Sequence, residues 1–492
     1  MKKYSESVKV LFVLCLLSLG VFSCSSGEKK EEQPSPPNII WIMLEDWGYQ
    51  LSCYGEPGIH TPNIDKVAAE GVRYTRSFAT APVCSPSRSA MMTGFHQNYI
   101  SAHQHRTRKG ESGFSKAPLP HGIKPFTQLL QEKGYFTCFM KPARKTDLNF
   151  TYDGDIYEGG DWGEREEGQP FFAQVTFGGT HRRWKRDTLD PIAIDEVVLP
   201  LYYPQTDLAK RDWANGLEAA QIVDRQVGAL LDRLENEGLA DNTLVFIIGD
   251  NGRCMPRGKQ FLYDGGIQVP IIARWPGKIK AGTVSDAMVM TIDITKTILD
   301  VAGAKSAHPL HGKNLFGDEV DERKYIFAAR DKMDSTHDAM RAIRSAEYKL
   351  IHNLMPERAY CQYNHYKEEN YPVLALLNVM NMQGELSPEQ ASFMAASKPE
   401  YELYDIQNDP YELRNLAEDE NFAEVKGELR SELEKWREKI NDPGVSPRFR
   451  QGGWPADYPT RTLEGWKKHL LGFEPWVNRQ PGSKMEHPYH GK

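Results

Sequence analysis

The feature that most limits how this chain can fold is an unbroken apolar run, Ile39-Ile40-Trp41-Ile42-Met43-Leu44, that stops at two acids, Glu45-Asp46. A strand with water on one face alternates apolar and polar residues, so a run without alternation predicts a strand covered on both faces. Phe171 to Phe177, Leu244 to Ile248 and Val269 to Ala273 have the same character. Between them, Trp213 to Glu237 places Leu217, Ile222, Val223, Val227, Leu230, Leu231 and Leu234 at helical spacing and ends near Gly238. Strands alternating with helices predict an α/β fold, a mostly parallel sheet sandwiched by helices. Acids at the carboxyl end of such a strand stand where open α/β sheets bind their ligands.

Shorter elements fit the same scheme. Asn63 to Glu70 reads as a helix, Gly134 to Met140 as a strand, and Pro82 to Arg88 as a turn running into a helical Ser89 to Thr93. After about Gly303 the pattern changes. Met340 to His352 and Tyr401 to Leu416 look like strands around a turn-rich stretch, and Glu424 to Lys439 like an amphipathic helix, which predicts a smaller C-terminal α+β subdomain. The expected division is a catalytic domain over 37–330 and a C-terminal subdomain over 331–492, its tail from Pro443 on an irregular surface wrap.

At the start of the chain, Lys2 and Lys3 precede an apolar stretch, Val8 to Phe22, shorter than a membrane span. This is the pattern of a signal peptide. Val21-Phe22-Ser23-Cys24 resembles a bacterial lipobox, which implies cleavage before Cys24, a lipid on that cysteine and export to a membrane surface, periplasmic or outer. Residues 1–23 are then the signal and 24–36 a polar tether. A plain secretory signal is the alternative.

The sequence has 492 residues, 40% hydrophobic and 26% charged, with a formal charge of −7. That composition fits a soluble globular enzyme, and an acidic chain without a long basic run is not a nucleic-acid binder. A polyanionic substrate must therefore meet a local basic pocket. With Cys15 and Cys24 assigned to the signal, Cys53, Cys84, Cys138, Cys254 and Cys361 remain. That number is odd and no CxxC spacing occurs, so one thiol at least does something other than pair within the chain.

Cys84-Ser85-Pro86-Ser87-Arg88, followed by small residues up to Thr93-Gly94, matches the signature C-x-P-S-R. Here the chain resembles the formylglycine-dependent sulfatases, whose fold is that of alkaline phosphatase. The resemblance implies that a maturation enzyme oxidises Cys84 to formylglycine (3-oxoalanine). The hydrated aldehyde carries two hydroxyls on one carbon, one to attack sulfur and one to expel sulfate afterwards; a serine would stay sulfated. Attack on an anionic sulfate needs positive charge and aligned donors. Arg88 stands one helical turn on, and a helix N-terminus after Pro86 adds backbone N–H groups.

The resemblance also implies one calcium ion held by Glu45, Asp46, Asp250, Asn251 and the residue at Cys84. Glu45 departs from the family's usual aspartate. Lys145 and Lys259 match the family's two sulfate-binding lysines, and His181 its histidine at the leaving-group oxygen, suited to general acid work. Many sulfatases carry a histidine two residues after the first lysine, where this chain has Asp147. A carboxylate there is expected to bind a sugar hydroxyl or to orient Lys145. The donor-rich segment His103-Gln104-His105-Arg106-Thr107-Arg108 offers His105 and Arg106 for an anionic sugar, or is a solvated loop.

The resemblance runs from about Pro37 to Asp442. Tyr401-Glu402-Leu403-Tyr404-Asp405, Glu412-Leu413-Arg414-Asn415-Leu416 and Lys349-Leu350-Ile351-His352-Asn353-Leu354 are similar to the branch that includes heparan N-sulfatase and bacterial polysaccharide sulfatases. The expected substrate is a sulfated oligosaccharide from algal polysaccharide, such as ulvan, or from glycosaminoglycan. Heparan N-sulfoglucosamine is the alternative. Two rivals stand beside this reading: a two-zinc phosphatase-like hydrolase on the same sheet, disfavoured by Cys84 and the scarcity of histidine ligands, and a lipoprotein that binds sulfated glycan without turnover.

Overall fold

The structure is a computed structural model and describes residues 36–105, 116–142, 145–321, 323–453 and 461–489. The signal expected over 1–23 and the tether over 24–36, apart from Pro36, lie outside the described residues, as do Arg106, Thr107 and Arg108.

In chain order the strands are β1 (Asn38–Leu44), β2 (Val72–Phe78), the two-residue β3 (Ala117–Pro118), β4 (Phe136–Met140), the two-residue β5 (Phe150–Thr151), β6 (Phe171–Phe177), β7 (Thr243–Gly249), β8 (Ile271–Arg274) and β9 (Thr283–Met290). The central sheet has seven strands in the order β4-β6-β1-β7-β8-β2-β9. β4, β6, β1 and β7 are mutually parallel, as are β2 and β9. β8 runs against both its neighbours. Nothing in its apolar composition distinguishes it, because burial on both faces sets composition whatever the strand direction.

β1 shows why its sequence does not alternate. Ile40, Ile42 and Leu44 pack into a core beneath the long helix Asp207–Asn236, through Leu217, Val223 and Val227. Ile39, Trp41 and Met43 face the opposite layer, against Phe126, Phe172 and Ile294. Every residue of β1 is buried.

The C-terminal part is a four-stranded antiparallel sheet, β10 (Ile326–Met333), β11 (Thr336–Arg344), β12 (Tyr348–Asn353) and β13 (Tyr401–Asp405), in sequential order. The helix Ala423–Lys439 covers it through Leu429, Leu433 and Trp436. Two findings depart from expectation. The turn-rich stretch before β13 holds the helices His365–Asn370 and Pro372–Gln383. The tail is not wholly irregular: Leu463–Val477 is a helix whose Trp466, Phe473 and Trp476 pack with Ala375 and Val379. Its apolar stripe is interrupted by Pro475 and charged residues, which hides the period.

Candidate active site

Register brings the site together. Leu44 at the end of β1 pairs with Phe177 of β6 and Gly249 of β7, so Glu45-Asp46, Thr180-His181 and Asp250-Asn251 leave the sheet side by side. β4 and β2 run the same way and lead to Lys145 and to Cys84. Each expected residue that the structure describes is thus delivered by the carboxyl end of a parallel strand or the loop after it, except His105.

The helix carrying the nucleophile candidate starts earlier than expected. Cys84 is its first residue, after an extended Val83, and it runs to Thr93. Pro86 sits in the first turn, where the missing N–H is not needed. Ser87 Oγ donates to the Asp250 carbonyl at 2.6 Å, and Arg88 Nε donates to Asp250 Oδ2 at 2.7 Å, tying the helix to the end of β7. A second Arg88 nitrogen lies 3.4 Å from Glu45 Oε1. Arg88, Glu45, Asp46 and Asp250 are all buried; removing one partner from such a set costs about 3–5 kcal/mol.

Cys84 is fully buried. Its Sγ lies 3.4 Å from His105 Nε2 and 3.9 Å from Lys259 Nζ. Burial pushes its thiol well above the ordinary cysteine range, against the pull of Lys259 and Lys145. The unmodified side chain is therefore a neutral thiol and a poor nucleophile.

Asp46 has φ +54 in the left-handed region, which a non-glycine residue rarely adopts and which asparagine and aspartate tolerate best. Its backbone N–H donates to Asp250 Oδ1 at 2.8 Å, and Asn251 Nδ2 donates to its Oδ1 at 3.0 Å. Its Oδ2 receives Lys259 Nζ at 2.5 Å and Cys254 Sγ at 2.7 Å. Burial would raise this carboxyl; Lys259 and His181 hold it far below the usual range.

His181 Nδ1 donates to the Arg182 carbonyl at 2.5 Å. In the neutral ring Nε2 is then a lone pair, 3.4 Å from the Tyr366 hydroxyl, which donates to it. Nε2 also lies 3.3 Å from Asp46 Oδ2, a carboxylate that favours the protonated ring. Burial outweighs this and lowers the His181 pKa.

Lys145 Nζ reaches Glu45 Oε1 at 2.9 Å and Asp147 Oδ2 at 3.3 Å. Burial notwithstanding, Lys145 and His105 hold the Asp147 carboxyl far below the usual range, so it is an acceptor that orients Lys145.

The oxygen ligands meet part of what a hard cation requires. Asp46, Asp250 and Asn251 touch one another, and Asn251 Oδ1 is a buried acceptor with no hydrogen-bond donor. An orphaned carbonyl oxygen beside two carboxylates fits calcium. Glu45 is held instead by Lys145 and Arg88. Among the described residues, the Cys, His and acid ligands gathered to within 4.8 Å as a set of three are Cys84, His105 and Asp147.

Sequence reasoning missed Cys254, Tyr366 and Asp334. Cys254 follows the Asp-Asn-Gly segment closely, and the odd cysteine count was its signal. Tyr366 and Asp334 come from the C-terminal part, where nothing local marks them. Asp334 Oδ1 lies 3.5 Å from His105 Nδ1.

Comparison with known proteins agrees with this geometry. A family profile described as Sulfatase matches residues 37–151 and 141–304, and one described as N-sulphoglucosamine sulphohydrolase, C-terminal, matches 257–383. The chain is 32% identical to an ulvan-active sulfatase of Formosa agariphila, over 89% of this chain and 83% of that protein. It is 25% identical to human N-sulphoglucosamine sulphohydrolase, over 83% and 91%. Among solved structures, a protein in complex with its substrate D-glucosamine-2-N,6-O-disulfate superposes with a TM-score of 0.61 at 20% identity, covering 85% of this chain and 100% of that one. A putative sulfatase from Bacteroides thetaiotaomicron gives 0.59 at 18%, covering 88% and 100%. These likenesses share the alkaline-phosphatase-like architecture. The matched profile spans more than half of the chain, from β1 through the ends of β7 and β9, and the chain belongs to the sulfatase family.

Proposed function

We propose that this sulfatase removes sulfate esters from oligosaccharides derived from sulfated polysaccharide, with a formylglycine made from Cys84 as nucleophile and one calcium ion beside it. The observation that carries the reading is the neutral, buried Cys84 thiol at the head of its helix, facing Lys259 and His105 beside the acid cluster. A neutral thiol there is a poor nucleophile, whereas its oxidised, hydrated form supplies the two hydroxyls that sulfate transfer and release require. Asp46, Asp250 and Asn251 would hold the calcium, which would supply Lewis acidity to the nucleophile and the sulfate.

The protein's own side chains do the rest. Lys145 and Lys259 bring ammonium groups to the sulfate oxygens. Arg88 neutralises Asp250 and Glu45 and holds the helix in place. His181 is neutral in the free protein; the negative charge of a bound sulfate beside Asp46 favours its protonation, and Nε2 then gives that proton to the leaving oxygen. An ulvan-active relative and a neighbour holding a sulfated glucosamine support a glycan as substrate. The match to the N-sulphoglucosamine sulphohydrolase C-terminal profile supports heparan N-sulfate as the second reading. We further propose export and lipid anchoring through Cys24, which fits an enzyme meeting polysaccharide outside the cell; loss of palmitate labelling in Cys24→Ala tests it.

The test is sulfate release from a panel of O- and N-sulfated oligosaccharides by matured protein, with peptide mass analysis of the Cys84 segment. Turnover by the converted protein, lost in Cys84→Ala, is expected. Full turnover with the thiol intact would overturn the nucleophile, and binding without turnover would favour a glycan-binding lipoprotein.

A further inference from the structure

We infer that a cationic cleft between the segment after His181 and the C-terminal tail binds the sulfated glycan beyond the sugar that loses its sulfate. The inference rests on the glycan-sulfatase reading of the site. The cleft holds about 620 Å³, within the roughly 300–1,000 Å³ range of small-ligand sites. Arg183, Lys185 and Arg186 line one wall, and Trp476, Arg479 and His487 the other. Glu486 is the one acid in the lining, on a chain where Asp and Glu outnumber Lys and Arg by 67 to 60. A concentration of positive charge on an acidic protein marks where a polyanion is drawn.

The cations differ in availability. The Arg186 guanidinium is clamped by Glu218 at 2.7 and 2.8 Å, so its charge is spent within the protein. Arg479 is buried and forms no ion pair among the described residues: its terminal nitrogens donate to the carbonyls of Trp476 and Trp184, both at 2.5 Å, and its guanidinium lies 4.3 Å over the Trp476 ring. Lys185 is exposed and forms no ion pair among the described residues. Two cations that form no ion pair among the described residues thus line the cleft, beside exposed Thr188, Gln480 and Ser483 that can meet sugar hydroxyls.

The cleft is joined to the chemistry. Arg183 Nε donates to Asn370 Oδ1 at 2.9 Å, Asn370 Nδ2 donates to the Tyr366 carbonyl at 2.7 Å, and the Tyr366 hydroxyl reaches His181. His181 serves the leaving oxygen, which belongs to the glycan, so the chain that continues from that oxygen leaves on the side where Arg183 and Lys185 begin. The ligand is a linear glycan bearing sulfate or carboxylate on the neighbouring sugar, held by charge and by hydroxyl contacts.

The experiment uses Lys185→Glu combined with Thr188→Glu, both exposed positions where folding tolerates charge. In a Cys84→Ala background, affinity for heparan sulfate or ulvan at low salt is expected to fall about tenfold, and the loss to shrink as salt is raised. In the active protein, the ratio of kcat/KM on the polysaccharide to that on a small aryl sulfate is expected to fall by a similar factor. Affinity and ratio both within twofold of the parent would overturn the cleft. If the parent releases no sulfate from any substrate, the functional reading fails separately, and the binding measurement alone decides the cleft.

Discussion

Cys84 Sγ lies 3.4 Å from His105 Nε2, and the other nitrogen of that ring lies 3.5 Å from Asp334 Oδ1. An imidazole aimed at the nucleophile position and backed by a carboxylate has the geometry of an oriented proton acceptor. Asp147, held ionised by Lys145 and His105, fills the place where many sulfatases have a histidine, and His105 brings an imidazole to Cys84 from another segment.

His105→Ala is accordingly expected to lower kcat by about 10²-fold or more with a smaller change in KM, the usual scale for a lost general base. Asp334→Asn should give a milder loss and shift the pH profile. A change confined to KM would assign His105 to substrate binding instead.

Calcium is expected to show in stability as well as turnover. An ion present at a hundredfold its dissociation constant adds about 2.7 kcal/mol to folding. Chelation should lower Tm by several degrees, calcium should restore it, and Asn251→Ala should blunt the response; a Tm indifferent to chelation would remove the metal from the site.

Acid sensitivity should come from a pair of rings away from the site. His96 N donates to His311 Nδ1 at 3.2 Å, and the two rings lie 5.6 Å apart. Burial, with Lys439, lowers His311 to about 4; burial, then His311 and Arg323, hold His96 well below its ordinary value. Both bind protons more tightly in the unfolded chain, so the stability they confer is complete above the unfolded pKa of about 6.5 and lost as pH falls toward 4. For His311 this is on the order of 2–3 kcal/mol. Thermal melts from pH 7.5 to 4.5 should show a decline that flattens in His311→Phe.

Lys349 should matter to the whole fold. Fully buried on β12, it donates to Asp264 Oδ1 at 2.5 Å and Glu412 Oε1 at 2.6 Å. Lys349→Met leaves two buried carboxylates facing each other and is expected to cost about 3–5 kcal/mol. Chemical denaturation of the variant measures it; a loss below 1 kcal/mol would mean the pair relaxes by protonation.

The order of elements in the main domain was legible, because a strand covered on both faces cannot alternate and β1, β6 and β7 therefore announce themselves as solid apolar runs. The chemistry was legible where it is local: Cys84 to Arg88 lie on one helical turn, and the acids stand at strand ends that any parallel sheet would align. The antiparallel course of β8 left no trace, since burial leaves the same composition in either direction. The helix over Leu463–Val477 was obscured by Pro475 and by charges on its exposed face.

By itself, then, the sequence determined the parallel strands and set Cys84 and the acids at strand ends, all by contacts between residues near in the chain or by burial. Tertiary structure alone decided that Tyr366 and Asp334 reach the two histidines, that Cys254 donates to Asp46, and that the tail lines a basic cleft together with Arg183 to Arg186. Those relations join segments far apart in sequence, and their geometry follows from how the C-terminal part packs on the sheet, which no local pattern encodes.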